Sequence, residues 1–288
     1  PRLPDFWAGE SDLPLFLEGF VHALRVERDI TQARKLYRAI RKSPLFDKKL
    51  KMYKVNGDLS KESEEIGRAR TFPAGWLENE SIWIHMEYKY LLELLRCELY
   101  EEYYETFREV LIPFMDAQRY GRSTLENSSF IVSSAHEDHA LHGQGFVARL
   151  SGSTAEFVHM WLLMNIGKNP FTLSAKGELV FTLKPVLASW LFTTEKSSVV
   201  YLDQNHKRTK IELPKNSYAF NLFGAILVVY HNPRRRNIFG ADQSVVQEMR
   251  LTYPGSKKPV ILSTRSVSGS YASDIRDRKV ERIDVFFQ

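Results

Sequence analysis

The centre of the chain, residues 121–161, reads GRSTLENSSFIVSSAHEDHALHGQGFVARLSGSTAEFVHMW. It passes from a polar loop through three histidines into a hydroxyl-rich turn at 151–155, after which an apolar helix is predicted over Glu156 to Asn165. The first amides of a helix have no partner within it, and the helix dipole leaves that end slightly positive. Because Ser, Thr and Gly are also common helix caps, the turn indicates either an ordinary cap or a site for an oxyanion such as phosphate.

Helical spacing of apolar residues dominates the first half of the chain. Ser11 and Asp12 are predicted to cap the first helix. A long loop over 118–146, with no regular structure predicted, precedes the helix after the hydroxyl turn; loops of that length are usually functional or disordered. The predicted helices cover 15–24, the segment from Thr31, 82–99, 100–117 and 156–165.

Short segments, several of them alternating, replace the helical pattern near residue 168, and turns rich in Gly, Pro and Asn separate them. Many short strands at such spacing are typical of an antiparallel sandwich or jelly roll. The sequence therefore predicts an α+β chain with a helical domain over 1–167 and a β-sandwich over 168–288. The predicted strand segments are 171–181, 198–202, 209–213, 217–220, 225–230, 246–251, 260–262 and 280–287.

Composition is that of a globular protein and excludes several classes of function. Among 288 residues, 43% are hydrophobic, 26% are charged and one is cysteine, Cys97, so no disulfide framework is expected. The net charge of +5 is modest, and its basic clusters match no nucleic-acid-binding module. No apolar run is long enough for a bilayer and no signal peptide is visible, which predicts a cytoplasmic protein without membrane or nucleic-acid partners.

A second segment, WLENESIWIH at residues 76–85, resembles a known motif. It is similar to the Glu-Asn-Gly-Gly/Ala-Ile-aromatic-x-His motif of cellobiose phosphorylase and the other inverting β-glucoside phosphorylases of glycoside hydrolase family 94. Ser151 follows His85 by 66 positions, a spacing similar to that between the family's His and its Leu-Thr-Gly-Thr-Ala turn. Residues 126–129 are a looser counterpart of an intervening Glu-Pro-Tyr-Val segment, so the resemblance covers roughly residues 15–165.

The resemblance implies both a fold and a set of site residues. The fold is the C-terminal part of an (α/α)6 barrel, followed by the β-sandwich. Two departures bear on sugar specificity: Glu80-Ser81 stands where the family has a Gly pair, and Leu77 stands where it often has Lys, which favours the sister β-1,3-glucan phosphorylases. The implied residues are His85, Ser151 and Gly152 for phosphate; Trp76, Glu78 and Asn79 for the sugar rim; and Arg122, Glu126 and Gln144 for polar contacts from the loop.

The function implied is reversible phosphorolysis of β-linked gluco-oligosaccharides to α-glucose 1-phosphate with inversion. Inorganic phosphate is then a co-substrate, and no cofactor is expected. The family's general acid lies on the barrel well before the first motif, so it is expected upstream of Pro1; Asp5 is too near His85 in sequence to match it. The chain is therefore expected to be inactive alone and to pair with the remaining N-terminal part of the same enzyme; family members commonly dimerise.

Other interpretations of the same residues remain open. An inverting hydrolase with the same barrel would need a base carboxylate instead of a phosphate site, and a non-catalytic carbohydrate-binding module would need neither. His136, His139 and His142 are spaced like metal ligands and have Glu137 and Asp138 between them. No cysteine joins them, and the family uses no metal, so no metal site is expected.

Overall fold

The computed structural model describes residues 13–148 and 152–288. The chain divides into two compact units, the first ending at Met160 and the second spanning Trp161–Gln288. The division falls inside a helix, whereas the sequence places the boundary at 167/168. The predicted caps Ser11 and Asp12 lie outside the described residues.

Helices are the main regular structure of the first unit. Asp29 caps the second of them, since its carboxylate accepts hydrogen bonds from the amides of Thr31 at 2.7 Å and Gln32 at 3.1 Å. The helix predicted over 100–117 is shorter than expected because Pro113 sits in a 3₁₀ turn at Ile112–Phe114. The helices are α1 (Leu17–Val26), α2 (Ile30–Lys42), α3 (Ile84–Arg96), α4 (Tyr100–Val110), α5 (Ala117–Tyr120) and α6 (Gly152–Ile166).

The predicted structureless loop at 118–146 was wrong, because that segment contributes to a small antiparallel sheet. Its strands are β3 (Ile82–Trp83), β4 (Ser128–Ile131) and β5 (Gly145–Ala148), in that order across the sheet. Trp83 is opposite Phe130, and Phe130 is opposite Phe146, so one aromatic ladder crosses all three strands. Strand β3 lies at the start of the apolar run that the sequence predicts as one helix over 82–99, and β4 and β5 lie within a predominantly polar segment. A separate hairpin joins β1 (Phe46–Asp47) and β2 (Met52–Tyr53).

Helix α3 is the most buried helix of the first unit and carries two buried carboxyl groups. Glu93 accepts hydrogen bonds from Arg25 on α1 at 2.9 Å and from Arg96 at 2.6 Å. Glu87 has no cationic partner among the described residues; both of its oxygens accept from the Tyr53 amide on β2, at 3.2 and 3.1 Å. Burial raises the pKa of Glu87 well above its ordinary value. These contacts tie α1 and β2 to α3.

Strands are the main regular structure of the second unit, in the part of the chain where the sequence predicts short strands. A five-stranded sheet has the order β10-β11-β15-β12-β13, a three-stranded sheet has the order β14-β7-β6, and β8 and β9 form a hairpin. The mixture of helices with mainly antiparallel sheets confirms the α+β prediction, although β11 and β15 pair in parallel. The strands are β6 (Phe171–Leu173), β7 (Leu179–Thr182), β8 (Ser197–Leu202), β9 (Arg208–Leu213), β10 (Ser217–Leu222), β11 (Ile226–His231), β12 (Val246–Thr252), β13 (Val260–Leu262), β14 (Ser266–Ser268) and β15 (Arg282–Phe287).

Strand β15 shows how alternation builds the five-stranded sheet. Ile283, Val285 and Phe287 are buried, while the residues between them are partly exposed. On that second face Asp284 accepts from His231 at 2.7 Å and from Arg282 at 2.7 Å. Burial opposes ionisation of Asp284, but these two hydrogen bonds prevail and lower its pKa. Neither β14 nor the short helix α7 (Ser270–Arg276) is predicted by the sequence pattern.

Across residues 13–148 and 152–288, no helix combines the length and the apolar character that crossing a bilayer requires.

Replacing Glu87 with Gln should alter stability in a pH-dependent way. The folded carboxyl keeps its proton as the pH rises, while the unfolded one ionises near pH 4.5. The wild-type free energy of unfolding therefore falls from that pH up to the folded pKa, by at most about 1.4 kcal/mol per pH unit. Because Gln does not ionise, urea denaturation should show the variant gaining stability over wild type between pH 5 and 8.

Glu93→Gln is the matched control on the same helix. Its carboxylate accepts from two arginines, so removing the charge should lower the free energy of unfolding by about 2 kcal/mol at neutral pH. If Glu87→Gln and wild type kept the same stability difference across this pH range, the unusual pKa assigned to Glu87 would be wrong.

Candidate functional site

The small sheet β3-β4-β5 brings together the three segments singled out in the sequence. Strand β3 ends segment 76–85 and leads directly into α3. Strand β4 begins within segment 126–129, and β5 ends at Ala148, shortly before α6 begins at Gly152. Segments that are 66 positions apart in sequence therefore converge through pairing of short strands.

His85 and Gly152 lie against each other. His85 is in the first turn of α3, and its imidazole abuts the first residue of α6. A Cβ atom added to Gly152 would overlap Nε2 and Cε1 of the His85 imidazole. Only glycine allows this approach, so the imidazole edge meets the end of α6 where amides lack helical partners. Ser151, the third predicted phosphate ligand, lies outside the described residues.

Charged groups surround His85 on three helices. Oε1 of Glu156, in the first turns of α6, lies 3.9 Å from Nε2 of His85. Lys89, one turn further along α3, pairs at 3.0 Å with Glu18 of α1. Burial is the main cause that lowers the pKa of His85, and Lys89 lowers it further, while Glu156 and Glu18 oppose the shift. The imidazole is therefore predominantly neutral at pH 7 and acts as a hydrogen-bonding group that can gain a proton.

Two functional candidates here escaped sequence reasoning. Lys89 stands four positions after His85, the spacing of neighbours on one helix face, and Glu156 stands four positions after Gly152. That spacing was a usable signal for Lys89 once His85 had been chosen. Nothing local indicated Glu156, since its role depends on α3 and α6 lying together.

The predicted sugar-rim residues share one turn but differ in how freely they could contact a ligand. Trp76 is half-buried, with its ring centroid 5.2 Å from that of Phe130 and 4.7 Å from that of Phe146, so it is part of the aromatic ladder. Asn79 is 7% exposed; its amide nitrogen donates to the Phe72 carbonyl at 2.7 Å, while its Oδ1 has no partner among the described residues.

The carboxylate of Glu78 already forms an ion pair with Arg68. Arg68 donates through both Nε, at 2.9 Å, and a terminal nitrogen, so the guanidinium holds the carboxylate in a forked pair. The side chain of Arg68 is 76% exposed. Arg68 is therefore a further polar group at this turn that sequence reasoning missed, and its place in a polar stretch gave no signal.

The same turn explains the departure at Glu80-Ser81. Glu80 has a φ of +53°, in the left-handed region that favours glycine, and it stands where the family motif has glycine. Its amide donates to Oδ1 of Asn56 at 2.6 Å, and its carboxylate pairs with Lys54 at 2.5 Å. These two contacts stabilise Glu80 in a left-handed backbone conformation. Glycine would adopt that conformation without such contacts.

The remaining predicted contacts form a separate group. Arg122 and Glu126 pair at 3.4 Å, and Gln144 donates to the Ala140 carbonyl at 2.9 Å. A Cβ added to Gly121 would lie 3.8 Å from Cγ of Gln144, which places Gln144 beside this pair. Within the described part of the chain, no hydrogen bond or ion pair joins these three side chains to His85.

The general acid stays a prediction. Asp5, the carboxylate that the sequence argument set aside, lies outside the described residues. The described contacts concern the predicted phosphate and sugar residues.

The histidines at 136, 139 and 142 have structural contacts. Nδ1 of His142 lies 2.6 Å from Nζ of Lys49, and its Nε2 lies 2.8 Å from the carbonyl oxygen of His136. Since an ammonium can only donate, Nδ1 accepts and Nε2 carries the proton. The described ranges contain no group of three or more His, Cys, Asp or Glu side chains that could hold a metal ion.

Cys97 is not a candidate nucleophile. Its thiol is half-buried and donates to the Leu24 carbonyl at 3.2 Å. Burial, followed by the nearby carboxylates of Glu93 and Glu27, raises its pKa to about 11. The thiol is therefore protonated at neutral pH, whereas nucleophilic attack requires the thiolate.

Gly152→Ala should displace His85 with little loss of stability. The new methyl group would meet the end of a side chain that is 35% exposed, and this side chain can rotate away. We expect a free energy of unfolding within about 1 kcal/mol of wild type, together with a large change in the His85 ring resonances by NMR.

Gly75→Ala is the matched comparison. There the new Cβ would meet the backbone nitrogen of His136 at 2.6 Å, and Gly75 has a φ of +78°, so the backbone would have to move. A loss of about 1–3 kcal/mol is expected. Unchanged His85 resonances in Gly152→Ala would contradict the close approach of His85 to Gly152.

A scan of this chain against protein-family models returned no match. A search among curated protein sequences also returned no match. Function is therefore inferred from the sequence motifs and from the contacts described above.

Proposed function

We propose that this chain carries the phosphate-binding part of an inverting glycoside phosphorylase, which reversibly cleaves β-linked gluco-oligosaccharides to α-glucose 1-phosphate. The observation that carries the proposal is the meeting of His85 with Gly152. These residues come from the two motif segments that resemble the family's phosphate ligands, and the resemblance required them to converge. Gly152 also has a steric reason to be glycine, which a simple helix cap would not need.

The chemistry of this position suits an oxyanion. The end of α6 offers backbone amides and the positive end of the helix dipole. The imidazole of His85 can donate a hydrogen bond from Nε2, and Lys89 supplies a positive charge on the same face of α3. Ser151 would add a hydroxyl in the place of the family's threonine.

The proposed architecture extends the observed α+β organisation. The helices of the first unit would belong to an (α/α)6 barrel, and the sheets of the second unit would form the β-sandwich that follows it. The left-handed conformation of Glu80 supports the motif alignment, because this position has the backbone conformation expected where the family carries glycine.

In this proposal the sugar lies beside the 76–80 turn. The indole of Trp76 offers an apolar face for a pyranose ring, the unpaired Oδ1 of Asn79 can accept from a sugar hydroxyl, and Glu78 with Arg68 provides a polar rim. The form LENESIW at residues 77–83 is closer to the sister β-1,3-glucan phosphorylases, which favours β-1,3-linked substrates. Arg122, Glu126 and Gln144 would contact the sugar from the neighbouring loop.

In the proposed reaction phosphate attacks the anomeric carbon, as water does in an inverting hydrolase. A phosphate oxygen forms the new bond at the anomeric carbon while the bond to the departing glycosidic oxygen breaks, and a carboxylic acid gives that oxygen a proton. The residues of this chain hold and orient the phosphate. No residue of this chain is assigned the role of that acid.

One observation favours an alternative, an inverting hydrolase with the same barrel. Such an enzyme needs a carboxylate that activates water, and Glu156 is a carboxylate placed at this position, 3.9 Å from His85. Glucose released without phosphate, and lost in Glu156→Gln, would support this alternative. A carbohydrate-binding module would bind oligosaccharide without binding phosphate.

The proposal is tested first by phosphate binding. Calorimetric titration of the chain with inorganic phosphate should show one site, and His85→Ala should weaken binding about 10–100-fold, the loss expected for a hydrogen bond to a charged group. His139→Ala, on an exposed part of the histidine loop, is the matched control and should leave binding unchanged. Equal affinity in His85→Ala and wild type would contradict the proposed site.

Activity is tested on the whole enzyme that contains this chain. Laminari- and cello-oligosaccharides should yield glucose 1-phosphate only when phosphate is present, and His85→Ala should abolish that product. Free glucose as the sole product would instead identify a hydrolase.

A further inference from the structure

While His85 is neutral, the charged side chains around it have a net negative charge, which opposes the binding of an anion. Three helices contribute to it: Glu18 from α1, Lys89 from α3 and Glu156 from α6. While the imidazole is neutral, two carboxylates and one ammonium give the cluster a net charge of −1. A phosphate dianion entering it would meet an unbalanced carboxylate.

Glu156 is that unbalanced carboxylate. Lys89 lies 3.0 Å from Glu18, so those two charges compensate each other. Glu156 has an ionic contact only with His85 among the described residues, at 3.9 Å, and its side chain is 20% exposed. Water therefore screens it only in part, and an anion bound at His85 would be repelled unless a positive charge lay between them.

Two further histidines near the cluster, His22 and His159, do not change its net charge. His22 lies 3.9 Å from Glu18 and is 60% exposed, so solvent screens it. His159, one turn beyond Glu156 on α6, has its Nδ1 3.3 Å from Arg96, and Arg96 already pairs with the buried Glu93. The imidazole of His85 is therefore the group best placed to supply the missing charge.

We infer that phosphate binding at this site takes up one proton from solution, and that Glu156 is the group that requires it. The inference rests on the proposed phosphate site. The proton binds to the His85 imidazole, and the resulting imidazolium lies between Glu156 and the phosphate, balancing one charge of each. Glu156 thereby acts as a positioning residue for that proton and is not itself a phosphate ligand.

The protonation state of His85 before phosphate binds agrees with the inferred proton uptake. Burial and Lys89 lower the pKa of His85, so the imidazole lacks the proton at neutral pH before phosphate arrives. The proton must then come from solution, and linkage requires that phosphate affinity fall as pH rises. Affinity should fall about tenfold per pH unit between pH 7.5 and 8.5, where phosphate itself is mainly the dianion.

The test is calorimetric titration with inorganic phosphate in buffers of different ionisation enthalpy, which gives the number of protons taken up. Wild type should take up about one proton per phosphate at pH 8. Glu156→Gln should take up less than half of that and bind phosphate about tenfold tighter than wild type at pH 8.5, since the repulsion is gone. Glu101→Gln, an exposed change of the same kind on α4, should match wild type.

The outcomes separate this inference from the proposed function. Phosphate binding without proton uptake, or equal uptake in wild type and Glu156→Gln, would leave the phosphate site standing and overturn the role of Glu156. Absence of phosphate binding in every variant would overturn the site, and the inference with it. A purely structural role for Glu156 would change stability without changing the number of protons.

Discussion

The first unit depends on the burial of two carboxyl groups on a single helix. Glu93 is held by Arg25 and Arg96, and Glu87 by the Tyr53 amide, so α3 cannot rotate or slide without leaving a buried polar group unsatisfied. The two buried carboxyl groups are stabilised in different ways. Glu93 remains paired with cations, while Glu87 is stabilised in its neutral form.

This constraint fixes the direction of the helix face that carries His85 and Lys89. The aromatic ladder of the small sheet fixes the approach of the other segments, because β3 leads into α3 and β5 precedes α6. The end of α6 is thereby brought against the His85 imidazole, where Gly152 leaves room for the contact. The proposed phosphate site depends on this packing of α3 against α6.

Much of the helical content was predictable because apolar residues recur at helical spacing over ten or more residues, and many strands of the second unit were predictable from short apolar or alternating segments between turns. The small sheet was missed since β3 lies in an apolar run predicted as a helix, and pairing partners such as Trp83 and Phe130 lie far apart in sequence. For the site, motif resemblance identified His85 and Gly152 as candidates. Glu156 and Arg68 could not be found in this way, because their contacts arise only when separate segments pack together.

The most direct measurement is a crystal structure of the chain grown with millimolar phosphate, compared with one of His85→Ala grown identically. The account predicts phosphate within hydrogen-bonding distance of Nε2 of His85 and of the first amides of α6, and no phosphate there in the variant. Phosphate bound at this position in both crystals, or bound only elsewhere, would contradict the central claim that His85 and α6 form the phosphate site.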